Sequence, residues 1–136
     1  MMHHGSCLCG RICYTLNHEP EAPSLCHCQM CQKQHGAPFG AYSSVNWSGF
    51  EITKGAQDLV HYRSSATVTR TFCKHCGSTL QFVRDHKAVF GLAIATLDSS
   101  FSRHPESQIC TSSTADWWTL SAEPVSYLEL GPEEAS

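Results

Sequence analysis

The sequence carries no excess of either charge. Charged residues make up 15% of the 136 and the formal net charge is -3, so neither a nucleic-acid surface nor a polyacidic tail is indicated and electrostatics names no partner. No apolar run approaches the roughly 18 residues of a membrane-spanning helix, and the opening "MMHHGS" has nothing resembling a signal peptide. These absences predict a cytoplasmic protein without a membrane or nucleic-acid partner. A sustained 3.6-residue apolar period is also missing, which argues against a helical bundle, and no internal repeat stands out. His3 and His4 are assigned no role.

What the chain has instead is cysteine, nine in all. The odd number, without an export signal, and the C-x-C and C-x-x-C spacings point to metal ligands rather than disulfides. Around them run short stretches rich in β-branched and aromatic residues: "RICYTL" (11–16), "AYSSV" (41–45), "FEIT" (50–53), "LVHYR" (59–63), "TVTRTF" (67–72), "TLQFV" (79–83), "AVFGLAIATL" (88–97) and "VSYLEL" (125–130). Turn signals such as "WSG" and "KGAQD" separate them. The pattern predicts an all-β domain of short, mostly antiparallel strands. A chain of this length buries roughly two thirds of its unfolded surface around one core, so residues 1–136 are read as one domain. Only "QMCQKQHG" (29–36) predicts a helical turn, stopped by Gly36, and the final "GPEEAS" is expected to fray.

"CLCG" (7–10) and "CKHCG" (73–77) each close a cysteine pair with a glycine. A residue without Cβ lets the chain turn tightly, so that backbone N–H groups can point at thiolate sulfurs. Cys7, Cys9, Cys73 and Cys76 therefore predict a four-thiolate, closed, structural zinc site.

"CHCQMC" sets Cys26, Cys28 and Cys31 within six residues and leaves no second pair to complete them. Cys13 and Cys110 stand alone in strand-like stretches and are expected to be small buried hydrophobes. The fourth ligand of the trio is then water, a side chain or a substrate; His27 or His35 could instead close it as a structural site. Copper(I), with Met30 nearby, competes with zinc as the metal. Three thiolates leave zinc(II) a poor Lewis acid, which disfavours water activation. A thiol entering the open position would lose its proton and stay nucleophilic toward a carbonyl. With two zinc ions and seven thiolates the formal charge falls to about -6.

"GSCLCG", then "CHCQMCQKQHG", then "YRSSATVTRTFCKHCGSTLQF", "ATLD" and a later Trp resemble the family of glutathione-dependent formaldehyde-activating enzymes, which includes centromere protein V, from about residue 5 to about 118. The resemblance implies a β-tent fold with two zinc ions. One is structural, on Cys7, Cys9, Cys73 and Cys76; the other is catalytic, on Cys26, Cys28 and Cys31. It further implies a carbon–sulfur lyase that joins glutathione to a small aldehyde such as formaldehyde, giving S-hydroxymethylglutathione. Arg70 matches a family position and either holds a glutathione carboxylate or pairs structurally. The alternative function is a non-catalytic zinc module that recognises a protein partner or a thiol. Phe39, Tyr42 and Phe90 are expected to pack in the core rather than line a pocket, Ser64 and Ser65 to form a turn, and one of Trp117 and Trp118 to point inward.

Overall fold

A computed structural model of the chain describes residues 2–131; of the stretch expected to fray, residues 132–136 lie outside it. In chain order the strands are β1 (His3–Ser6), β2 (Cys13–Leu16) and β3 (Ser24–Cys26), followed by the helix α1 (Gln29–His35). Then come β4 (Gly40–Asn46), β5 (Phe50–Lys54), β6 (Leu59–Arg63), β7 (Val68–Cys73), β8 (Thr79–Arg84), β9 (Val89–Ala93), β10 (Ser107–Ile109) and β11 (Val125–Ser126). The described residues are thus mostly β, as the alternating stretches predict. No helix among them is long and apolar enough to cross a membrane.

The chain divides into two compact units. The first takes the residues up to Glu21 together with Ser43–Ser102. It contains the antiparallel sheet β1-β2-β5 and the meander β6-β7-β8-β9. Its core is apolar: Ile12, Tyr14, Leu16, Val45, Leu80, Phe90 and Leu92 are buried with Cys7 and Cys73. Phe90 packs here as expected, its ring centroid 4.2 Å from that of Trp47 and 4.9 Å from that of Phe50. Two of the sulfurs anticipated as ligands are therefore part of this core.

The second unit takes Ala22–Tyr42 and the chain from Arg103. Here β3 pairs antiparallel with the start of β4 and parallel with β10, which pairs parallel with β11. Its buried side chains mix apolar ones, Pro23, Cys31, Tyr42, Ile109 and Pro124, with the polar His27 and Gln108. Gln108 donates to the Ser121 carbonyl and the Ser126 hydroxyl, both at 2.8 Å. Those bonds offset its burial.

Three strands escape the sequence pattern. β1, β3 and β10 are only three or four residues long, and β1 and β10 are mostly polar. They form because neighbours supply partners: His3 Nδ1 bonds Ser99 Oγ at 2.7 Å and its Nε2 meets Glu19, and Ser107 Oγ donates to Ser24 Oγ at 3.0 Å. Two expected strands are shorter than their apolar runs. β9 stops at Ala93 because Thr96 turns its hydroxyl back to the Ala93 carbonyl at 2.7 Å, in a 3-10 turn over Ile94–Thr96. β11 keeps only two residues, after which Tyr127, Leu128 and Glu129 offer carbonyls to Cys110 and the first residues of the 3-10 turn Thr111–Ser113.

Candidate metal centres

In the first unit both predicted turns form, and they are built alike. Cys7 N–H donates to the Ile12 carbonyl at 3.0 Å and Cys73 N–H to the Ser78 carbonyl at 3.0 Å. Gly10 N–H returns to the Cys7 carbonyl at 3.1 Å and Gly77 N–H to that of Cys73 at 2.8 Å. Both glycines sit in the left-handed region, φ 79° and 78°, where a Cβ is strained. This winding aims N–H groups at sulfur: Ile12 N–H at Cys7 Sγ (3.3 Å) and His75 N–H at Cys73 Sγ (3.4 Å).

All four sulfurs lie within 4.8 Å of one another. Cys7 and Cys9 are 3.6 Å apart and Cys9 and Cys73 3.8 Å, and every cysteine is free of disulfide. Metal–sulfur bonds of about 2.3 Å span tetrahedral edges of about 3.8 Å, so the four thiols fit one ion. Burial pushes the Cys73 thiol up to about 11. At Cys76 burial also pushes upward but is outweighed by hydrogen bonds, those of Ser78 foremost, leaving the thiol at about 5. The Arg11 N–H lowers Cys9. Ser78 went unnoticed in the sequence, yet it joins the two turns: its hydroxyl accepts from Leu8 N–H at 2.8 Å and lies 3.3 Å from Cys76 Sγ. The only sequence trace is a hydroxyl residue directly after "CKHCG".

In the second unit Cys26 ends β3 and Cys28 caps α1, its Sγ accepting from Cys31 N–H at 3.4 Å. Gly36 closes the helix at φ 59°, as predicted, and Lys33 in the last turn complements the helix dipole. The sulfurs of Cys26, Cys28 and Cys31 lie within 4.8 Å of one another, and among the described residues no histidine or carboxylate completes the group. Hydrogen bonding to Cys28 and Cys31, then burial, push the Cys26 thiol well above its ordinary value. Three such thiols ionise together only around a cation, so this donor set also suits a metal ion.

The two histidines weighed as a fourth ligand have other surroundings. His27 is fully buried, its ring tilted against that of Phe39 with centroids 5.4 Å apart, and has no hydrogen bond at either ring nitrogen. Burial holds it neutral, only partly offset by the Pro38 carbonyl and Gln108, which face the ring without reaching hydrogen-bond geometry. His35 Nε2 bonds Tyr42 Oη at 2.7 Å. Gln32, unremarked in the sequence, fastens α1 by donating to the carbonyls of His27 (2.6 Å) and Ser113 (2.8 Å).

Met30 is half exposed. Arg70 is buried in β7 of the first unit, where its Nε donates to Ser64 Oγ at 3.1 Å and its guanidinium lies 4.9 Å from the Phe82 ring centre. Ser64 thus forms the expected turn and also receives the arginine. Cys13 is half-buried and donates to the Gly10 carbonyl at 3.5 Å; Cys110 is half-buried at φ 55°. Neither is the buried hydrophobe expected. Both tryptophans face solvent, Trp117 71% exposed and Trp118 40%, with Trp118 edge-on to Phe39.

The chain is similar to known proteins. An uncharacterized lyase of Schizosaccharomyces pombe is 35% identical over 78 residues, 57% of this chain and 55% of that protein, so the chain spans about half the length of this relative. The crystal structure of a Rhodobacter sphaeroides protein superposes with a TM-score of 0.60, covering 72% of this chain and 90% of that one, at 22% identity, a likeness of fold. Residues 2–113 match the family described as glutathione-dependent formaldehyde-activating enzyme, a span that takes in all seven clustered cysteines, and the chain belongs to that family.

Proposed function

We propose that the protein is a zinc-dependent carbon–sulfur lyase-type enzyme that adds glutathione or a similar thiol to a small aldehyde such as formaldehyde. The observation that carries this reading is the difference in donor number: four sulfurs converge in the first unit and three in the second, with no further histidine or carboxylate among the described residues. Cys7, Cys9, Cys73 and Cys76 would hold a structural zinc, and Cys26, Cys28 and Cys31 a second one. Bound there, zinc supplies a coordination position that keeps an incoming thiol ionised at neutral pH.

The chain's own residues provide the rest. Cys31 N–H holds Cys28 Sγ in place, and Gln32 anchors the helix that carries both. Neutral His27 adds no charge to the three thiolates. A fixed thiol then needs an aldehyde delivered alongside it, and proximity supplies part of the acceleration. Membership of the family and the lyase relative support the same chemistry. Arg70, buried in the first unit, is proposed as a carboxylate-binding residue for glutathione.

Native mass spectrometry with and without glutathione tests the proposal. Two zinc ions per chain and a glutathione adduct that vanishes in Cys28→Ser are expected. Two zinc ions without an adduct, and no hemithioacetal formation above the spontaneous rate, would replace the enzyme by a non-catalytic zinc module.

A further inference from the structure

Adding a thiol to an aldehyde moves one proton as well as one bond. The S–H bond breaks, the C–S bond forms, and the carbonyl π pair goes to oxygen, which takes a proton; no other reagent is consumed. A group beside the three sulfurs that can both accept and return that proton would complete the reaction within the site.

Two independent features bring the same residues there. Along α1, Cys31 and His35 are four residues apart and so lie on one helix face a single turn from each other. Across the sheet, β3 and β4 pair Cys26 with Gly40 and Ser24 with Tyr42. Paired residues share a face with Cβ positions about 4.5–5.5 Å apart, so the space above Gly40 adjoins Cys26. That space is filled: a Cβ on Gly40 would lie 2.8 Å from His35 Nε2 and 2.9 Å from Tyr42 Cε2. The glycine is what lets the imidazole and the phenol meet. Their hydrogen bond is 2.7 Å long, with the rings edge-on at 5.4 Å and 73°.

From this placement we propose that His35 and Tyr42 are the acid–base pair of the three-cysteine site. The Tyr42 hydroxyl takes the proton of the incoming thiol as it passes its own to His35 Nε2, and the reverse shift delivers a proton from the hydroxyl to the carbonyl oxygen as the C–S bond forms. Imidazole and phenol each donate or accept, so their bond can reverse as the proton enters and leaves. A tyrosine tied to a backbone carbonyl would offer no such reversal. The role rests on the reading of the trio as a thiol site.

The experiment measures proton release when the zinc-loaded protein binds glutathione without aldehyde, by calorimetry in buffers of different ionisation enthalpy. The wild type is expected to release almost no proton, and His35→Gln, with unchanged zinc content, about one. With formaldehyde present, His35→Gln and Tyr42→Phe should each lower kcat roughly 100-fold while KM for glutathione moves far less. Should His35→Gln lose zinc or fold poorly, the Tyr42→Phe split between kcat and KM carries the test. Glutathione binding with equal proton release in wild type and His35→Gln would overturn the pair and leave the thiol reading standing. A wild type that binds no glutathione would end both.

Discussion

The two sets of cysteines use the same ligand atom and solve opposite problems. In the first unit the four sulfurs come from residues 7–9 and 73–76, joined across a long loop of chain and set into an apolar core that includes Cys7 and Cys73. In the second unit three sulfurs come from six consecutive residues, and only one of the three, Cys31, is fully buried. An ion in the first set closes a long loop and so removes much chain entropy from the unfolded state; an ion in the second closes almost none. On the proposed reading, the number and origin of the ligands separate a site that holds the fold from one that is free to hold something else.

The sharpest break of this contrast is Cys76→Ser. Structural zinc contributes a large part of the folding free energy in small metal-tied domains, so a loss of at least about 3 kcal/mol, or upward of about 10 °C in Tm, is expected by calorimetry. Cys28→Ser should leave Tm within a few degrees; equal damage from both substitutions would mean that the trio is structural too. Chelator challenge comes next. A colorimetric chelator should withdraw the ion of Cys26, Cys28 and Cys31 first, roughly tenfold faster or more, because three ligands hold less firmly than four and leave a position open to attack. Monophasic release of both ions would erase the distinction.

Smaller effects test the local geometry. Gly10→Ala and Gly77→Ala place a Cβ where nothing lies within 4 Å, so only the left-handed backbone is strained, at about 1–2 kcal/mol each in denaturant melts. In metal-free protein, Cys28→Ala should cost about 1 kcal/mol of helix stability relative to Cys28→Ser, since serine still caps α1 and alanine cannot. Circular dichroism of the two variants reads that difference.

Much of this was legible in the residues. Alternating β-branched runs marked β2 and β4 to β9, and cysteine spacing with glycine closure marked the seven sulfurs that gather in two sets, and two turns. The strands that escaped, "HHGS", "SLC" and "SQI", have no alternation to detect, because their stability comes from partners distant in sequence, such as Ser99 for His3. "AVFGLAIATL" reads as one strand because a turn made by a single threonine hydroxyl leaves no mark on hydropathy. His35 and Tyr42 were each visible, one as a possible ligand and one as core. Their hydrogen bond was not, since it depends on the β3–β4 register and on Gly40 lacking a side chain.

Cys28 is both a sulfur of the trio and the cap of a seven-residue helix, a length at which an isolated helix does not persist in water. Ion occupancy and helix formation are therefore linked equilibria. When the trio is loaded, the amides of residues 29–35 should exchange with solvent more slowly, and when it is emptied they should open first. The helix becomes a local gauge of metal status, readable by hydrogen exchange without any substrate.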